Sequence, residues 1–279
     1  MKIDQSATGF VTFDQRRRNN DHLVQNVFDQ VLEAAGRDGY ASAETPDAID
    51  GQTPGIAEAW DQWYRNESLG RYRQTENRQQ LGQTFADVMV QASESAGYVD
   101  PIGFLNQLSE DQMETVRQIH ALAEPIRVSS LSEEGALNLL LPPAAQIDLD
   151  NDGLTESGKA YGIRFPDSQT PPDVVTAWDN ATADMDESER MMHMLHMKLP
   201  VLTSNAVVKP DGTFSHFRQP GDPDWINPMA SEDYSYRGAT EDMIDYLNAF
   251  RSQIPSDRYE RDMAFWQAFR SELITAGVD

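Results

Sequence analysis

Between Asp21 and Gly36, apolar residues recur at positions 24, 27, 28, 31 and 35, one stripe of a 3.6-residue repeat. Asp21 suits the cap of that helix and Gly36 its stop. The same spacing predicts a helix through Leu81, Phe85, Val88, Met89, Ala92 and Ala96, ending at Gly97. Towards the C-terminus it predicts two more, one on Met243, Ile244, Leu247 and Phe250, the other on Tyr259, Met263, Trp266, Phe269 and Leu273. Thr53-Pro54 and Thr170-Pro171 place proline where helices begin. Ile56, Trp60 and Trp63 follow the first; Val174, Val175 and Trp178 follow the second, which continues past a break near Asp184 towards Leu199. Ser109 with Gln112 and Ser130 with Glu133 have capping-box spacing. They open helices lined by Met113, Val116, Ile119 and Ala123, and by Leu137, Leu140 and Leu141.

Strand signals are few. "NAVVKPDGTFSHF" places apolar or β-branched residues on either side of Pro210-Asp211-Gly212, which predicts a β-hairpin. Ile147 to Phe165 reads as two short strands around an acidic loop. The fold class expected is mainly α with a small β component (α+β), helices packed with short β-hairpins. Residues 1–20 lack sustained periodicity and read as a flexible N-terminal arm; 21–279 read as one mainly helical globular region, any sub-boundary falling near 125–131.

Composition narrows the function classes. The 279 residues suffice for a sizeable core, and 46 acidic against 22 basic residues give a formal net charge of −24. Such a field repels phosphate backbones and anionic lipid, so neither nucleic acid nor membrane is an expected partner. The run Arg16-Arg17-Arg18 is too short to reverse this and reads as a solvated tail segment. Without cysteine there are no disulfides, thiolate–zinc sites, iron–sulfur clusters or cysteine nucleophiles. The N-terminus lacks the apolar core of a Sec signal peptide, and no stretch reaches the length of a membrane span. Cytoplasmic residence and export by a non-cleaved signal both stay open. High acidity with only four lysines is compatible with a salt-tolerant bacterial protein.

One stretch carries sharp chemistry: "QIDLDNDGLTESGKAYGIRF", residues 146–165. Asp148, Asp150 and Asp152 alternate, Gly153 follows at the bend, and Glu156 comes three residues later. Calcium takes six to eight oxygens, and alternating aspartates in a turn can aim several at one centre. "DLDNDGLTE" resembles the aspartate-rich loops of EF-hand, thrombospondin type 3 and integrin-type FG-GAP modules, closest to the thrombospondin-like version in its Leu-Thr pair. The resemblance covers about a dozen residues and one copy. A twelve-residue EF-hand loop ends on a bidentate Glu, and Lys159 stands at that position here. A nine-residue loop closing on Glu156 keeps every ligand type: Asp148, Asp150, Asp152, the Leu154 carbonyl and Glu156, holding one Ca²⁺. The competing possibility is a metal-free turn, since Asp, Asn and Gly favour turns anyway.

Other signals are weaker. "MMHMLHMK" gathers soft ligands, with His193 and His196 at i, i+3, but an ordinary buried stripe of Met192, Leu195 and Leu199 with two solvated histidines accounts for it. The aromatic, Pro-rich loop 217–237, with Phe217, Trp225, Tyr234 and Tyr236, is either a surface for a protein partner or a loop pinned by its own side chains. No G-x-S-x-G, H-E-x-x-H, P-loop or G-x-G-x-x-G motif occurs. The function expected is that of a soluble, non-catalytic bacterial protein with a structural or interaction role, one calcium ion stabilising a hairpin loop. A hydrolase using acidic residues near loop 217–237 is the alternative.

Overall fold

In the computed structural model, residues 12–42 and 54–279 are described. In chain order they form α1 (Phe13–Ala34), α2 (Ile56–Glu67), α3 (Arg78–Glu94), α4 (Pro101–Leu105), α5 (Glu110–Ile119) and α6 (Glu133–Asn138). Then come β1 (Thr155–Ser157), β2 (Ala160–Gly162), α7 (Pro172–Ala181), α8 (Glu187–Ser204), β3 (Ala206–Val208), β4 (Phe214–Phe217), α9 (Tyr236–Ala249) and α10 (Ser256–Ala276). The architecture is mainly α with a small β component, as the periodicity predicts. No helix among the described residues is long and apolar enough to cross a membrane.

Local chemistry explains where the elements differ from expectation. Helix α1 starts at Phe13, because Thr12 and Gln15 form a reciprocal cap, with Gln15 N–H to Thr12 Oγ1 at 3.2 Å and Thr12 N–H to Gln15 Oε1 at 3.0 Å. Residues 13–20, expected in a loose arm, are therefore helical, and Arg18 and Asn20 are buried. Residues 1–11 and Thr53 lie outside the described residues. The Ser109–Gln112 box forms at α5. At α6 the cap is Ser132, whose Oγ accepts from Gly135 N–H at 2.8 Å, and not Ser130. Glu133 is instead drawn to Arg37 at 2.6 Å. Gly277, in the left-handed region at φ +75°, ends α10.

The first hairpin is also displaced. Both its strands follow the acidic loop, pairing Thr155 with Gly162 and Ser157 with Ala160 around Gly158 and Lys159. Ile147, on the other side of the loop, needs no strand partner. The Asn138 side chain accepts from Ile147 N–H at 2.9 Å and donates to the carbonyls of Ile147 and Glu156, each at 2.7 Å. The acidic loop thus leads into a hairpin and is not its tip. The second hairpin, β3–β4, forms where predicted.

Among the described residues, two hydrophobic clusters build the interior. The first draws on buried residues from Val24 to Ile147 and includes Trp60, stacked on Trp63 at 5.4 Å and donating its indole N–H to Gly82 O at 2.8 Å. Ile126, Val128 and Leu131 pack against this same cluster. The second runs from Phe165 to Leu273, where α10 packs on α7 and α9. Trp178 meets Phe265 and Phe269 edge-on there, each at 5.5 Å. The interior changes hands between Ile147 and Phe165, the stretch holding the acidic loop and the first hairpin.

Helix α8 turns a different face inward from the one its sequence suggests. His193, Met197, Lys198 and Val201 are buried, whereas Met192 and Leu199 are 45 % and 37 % exposed. His193 is not solvated: it stacks on Phe265 at 3.9 Å and meets Trp266 edge-on at 5.6 Å. Burial pushes its imidazole down to about 4, so it stays neutral in the core.

Candidate metal centre

Each loop carboxylate takes up backbone N–H groups that the bend exposes. Asp148 accepts from Asp152 N–H at 3.0 Å and from Gly153 N–H at 2.9 Å. Asp150 accepts from Asp152 N–H at 3.1 Å, and Asp152 from Leu154 N–H at 2.8 Å. Asn151 and Gly153 take left-handed backbone at φ +56° and +89°. A Cβ on Gly153 would also lie 3.0 Å from Asn227 and from Val201, so both the turn and its packing demand glycine.

A residue from outside the loop completes the arrangement. Glu134, in the first turn of α6, is buried and bridges three backbone donors: Leu149 N–H at 2.8 Å, Asp150 N–H at 3.3 Å and Glu156 N–H at 2.6 Å. Carboxylate oxygens of Glu134, Asp148 and Asp150 all lie within 4.8 Å of one another. The sequence motif contains two of these three. Glu134 escaped it because it is 14 residues upstream on another element, and the acidic pair Glu133-Glu134 reads as ordinary helix-start chemistry.

The remaining sequence-derived positions lie beside this triad rather than in it. Asp152 is committed to the turn, and Leu154 is buried just ahead of β1. Glu156 is 6 % exposed; one carboxylate oxygen accepts from the Ser132 hydroxyl, and the other, Oε1, is buried with no hydrogen-bond partner. Lys159 Nζ stands 3.8 Å from that oxygen, beyond hydrogen-bond reach. The chemistry of the set is hard-oxygen throughout, and a buried carboxylate oxygen without a partner fits a group that receives a cation.

Electrostatics describe a site short of positive charge. Burial, aggravated by neighbouring Asp148 and Asp150, pushes Glu134 up to about 8 despite its backbone hydrogen bonds. Burial likewise raises Asp148 to about 7 and Asp152 to about 6. Burial thus works against ionisation of all three, and the neighbouring carboxylates add to it. Behind the loop, the wholly buried Lys198 ammonium pairs with Asp167, and its charge acts to lower Asp148 and Asp152. Ser168 holds the adjoining backbone, accepting from Asp148 N–H at 2.9 Å.

Loop 217–237 closes over the outside of the bend. Trp225 donates its indole N–H to Asp152 O at 2.8 Å, and Asn227 Nδ2 donates to Asn151 O at 2.8 Å. Trp225 is thereby half-buried, while Phe217 is 56 % exposed. Two of the loop's carboxylates serve local structure: Asp222 accepts from Gln219 N–H at 2.7 Å, and Asp224 pairs with Arg218 at 2.9 Å. Comparison of the chain with protein-family models, with curated proteins and with solved structures finds no match.

Proposed function

We propose that the acidic loop and Glu134 bind one calcium ion with a structural role, fastening the junction between the two hydrophobic clusters. The observation that carries this is the convergence of three carboxylates, from α6 and from the loop, within 4.8 Å. The ligand set is Glu134, Asp148 and Asp150, joined by Asp152, the Leu154 carbonyl and Glu156, with water completing the shell. A dication offsets the cost of keeping these buried, mutually repelling carboxylates ionised. The surrounding hydrogen bonds tie α6, the loop, β1 and loop 217–237 together, so the ion stabilises a joint and catalyses nothing.

Calorimetric titration of chelator-stripped protein with calcium tests this. One site per chain is expected, with a dissociation constant in the range of about 10⁻⁶ to 10⁻³ M typical of sensor and extracellular sites. Glu134→Gln and Asp148→Asn each abolish the heat. Lys159→Glu separates the two loop registers: a modest change fits the nine-residue loop, whereas a gain of orders of magnitude would mean that a twelve-residue loop has regained its last ligand. No calcium heat and no thermal shift would reduce the motif to a turn.

A second role, as an interaction protein, is favoured by the β3–β4 hairpin. The rings of Phe214 and Phe217 lie tilted with centroids 5.0 Å apart and are 54 % and 56 % exposed, beside Val208 at 62 %. An exposed apolar strand face of that kind suits a protein contact. A Phe214→Ser, Phe217→Ser double variant that folds normally should lose any self-association seen on a sizing column. Monomeric behaviour unchanged by the variant would leave only the structural role.

A further inference from the structure

The chain is strongly acidic, yet one cavity of about 190 Å³ is lined by five arginines, Arg17, Arg18, Arg71, Arg164 and Arg190. Five of 18 arginines around one small space, in a chain of net charge −24, is a local reversal of sign. The cavity lies where α1 faces α7 and α8, at the seam between the two clusters. Three carboxylates share its wall and are already engaged. Glu187 reaches Arg17 at 3.3 Å, Asp179 takes His22 at 3.2 Å, and Asp21 accepts the Trp63 indole N–H at 2.6 Å.

Two buried or half-buried guanidinium groups are left without a carboxylate partner among the described residues. Arg18, 8 % exposed, donates to Ala183 O at 2.8 Å. Arg164 donates to Ala144 O at 2.8 Å, to Tyr40 Oη at 2.7 Å and to Pro143 O. Carbonyls orient a guanidinium but do not neutralise it, and Asp21 and Asp167, the carboxylates that act on Arg164, do so without forming an ion pair with it. Each fork keeps N–H donors in hand, the planar arrangement that matches an oxyanion in bidentate fashion. A fifth arginine, Arg71, is exposed and holds no side-chain partner among the described residues.

We propose that this cleft binds a small oxyanionic molecule, bearing phosphate or carboxylate, with Arg18 and Arg164 as its principal anchors. The volume is below the roughly 300 Å³ at which drug-sized pockets begin, and holds about six waters' worth of space. That suits a single phosphate or a short dicarboxylate and excludes a nucleotide. Occupation would draw α1 and the Arg164 segment towards α8. The inference is independent of the calcium site.

Thermal unfolding and calorimetric titration of the full chain test it, in calcium-free buffer so that calcium phosphate cannot form. Sodium phosphate and disodium succinate are compared with sodium chloride at equal ionic strength. A saturable site and a thermal shift beyond the chloride control are expected with at least one of them. Phosphate alone identifies a phosphoryl ligand, and succinate alone a dicarboxylate. Arg164→Gln should weaken binding about tenfold to a hundredfold, in line with the loss of charged hydrogen bonds. Arg71→Gln, which disturbs no contact of the fold, should weaken it severalfold, and Arg261→Gln on α10 should not. The proposal fails if neither anion outperforms chloride, or if binding persists undiminished in Arg71→Gln and in any folded Arg164→Gln protein.

Discussion

Asp150→Asn isolates the cation from the turn that would carry it. Asp150 is exposed, and its structural duty is one accepted hydrogen bond from Asp152 N–H at 3.1 Å, which an asparagine carbonyl oxygen reproduces. Only the charge changes. In calcium-free protein at pH 8.5, Glu134 and Asp148 are largely ionised, and Asp150 repels each across at most 4.8 Å. Coulomb's law in water-like surroundings makes that about 0.9 kcal/mol per pair, less after solvent screening. Asp150→Asn should therefore leave the calcium-free melting temperature unchanged or raise it slightly. With calcium the sign reverses. A dication about 2.4 Å from a carboxylate gains roughly 3.5 kcal/mol on the same scale, of which a neutral amide keeps a minor part. A loss of about 2–3 kcal/mol, or about 30- to 150-fold in affinity, follows. Calcium at about 100 times the parent constant stabilises the parent by roughly 2.7 kcal/mol, and a protein binding 100-fold more weakly by only about 0.4 kcal/mol. At about 2.1 cal/mol/K of unfolding entropy per residue, a chain of 279 residues rises by about 4–5 °C in the first case and by about 1 °C or less in the second, readable by scanning calorimetry. A calcium response in Asp150→Asn equal to the parent's would refute the site; a lower calcium-free melting temperature would refute the charge reasoning.

The raised values of Glu134 and Asp148 also set a pH dependence. The folded chain keeps protons that the unfolded chain releases near 4.5 and 3.8, so calcium-free stability is fullest below those values and falls as pH rises through about 7 to 8. Calcium displaces those protons, so its thermal shift should be larger at pH 8.5 than at pH 6, and proton release should appear as a buffer-dependent binding heat. Equal shifts at both pH values would contradict this. Lys198→Met should cost about 3–5 kcal/mol by stranding Asp167 in the interior, with much of it recovered in the Lys198→Met, Asp167→Asn double variant; urea titration of all three decides. Trp266→Ala and Phe269→Ala, both at fully buried positions, should each cost about 3–5 kcal/mol, and a chain cut before Ser256 should not fold. Retention of the parent's urea midpoint would contradict it.

Most helices are legible in the sequence because their apolar stripes are clean and their ends carry caps, as at Ser109 and Gly277. Helix α8 is not, since methionine and leucine occur on every side of it and periodicity cannot choose a face. What decides is the partner: Phe265 and Trp266 on α10 draw in His193. The loop motif contains Asp148 and Asp150, two of the three carboxylates that converge. Glu134 and Lys198 reach the same place from two distant helices, and only tertiary packing brings them there. Arg18 shows the same limit: a run of three arginines reads as a solvated tail until a helix and a carbonyl at Ala183 give one of them somewhere to go.

The two clusters occupy consecutive stretches of chain, the first finished at Ile147 and the second begun at Phe165. During synthesis, the residues that close the first interior have all been added before any of the second interior exists. Chains grow at about 5–20 residues per second, slow compared with the closure of a helical unit, so the halves can collapse one after the other with little competition for each other's apolar groups. The acidic stretch is the punctuation between them. Trp225 and Asn227, made well after it, seal its outer edge.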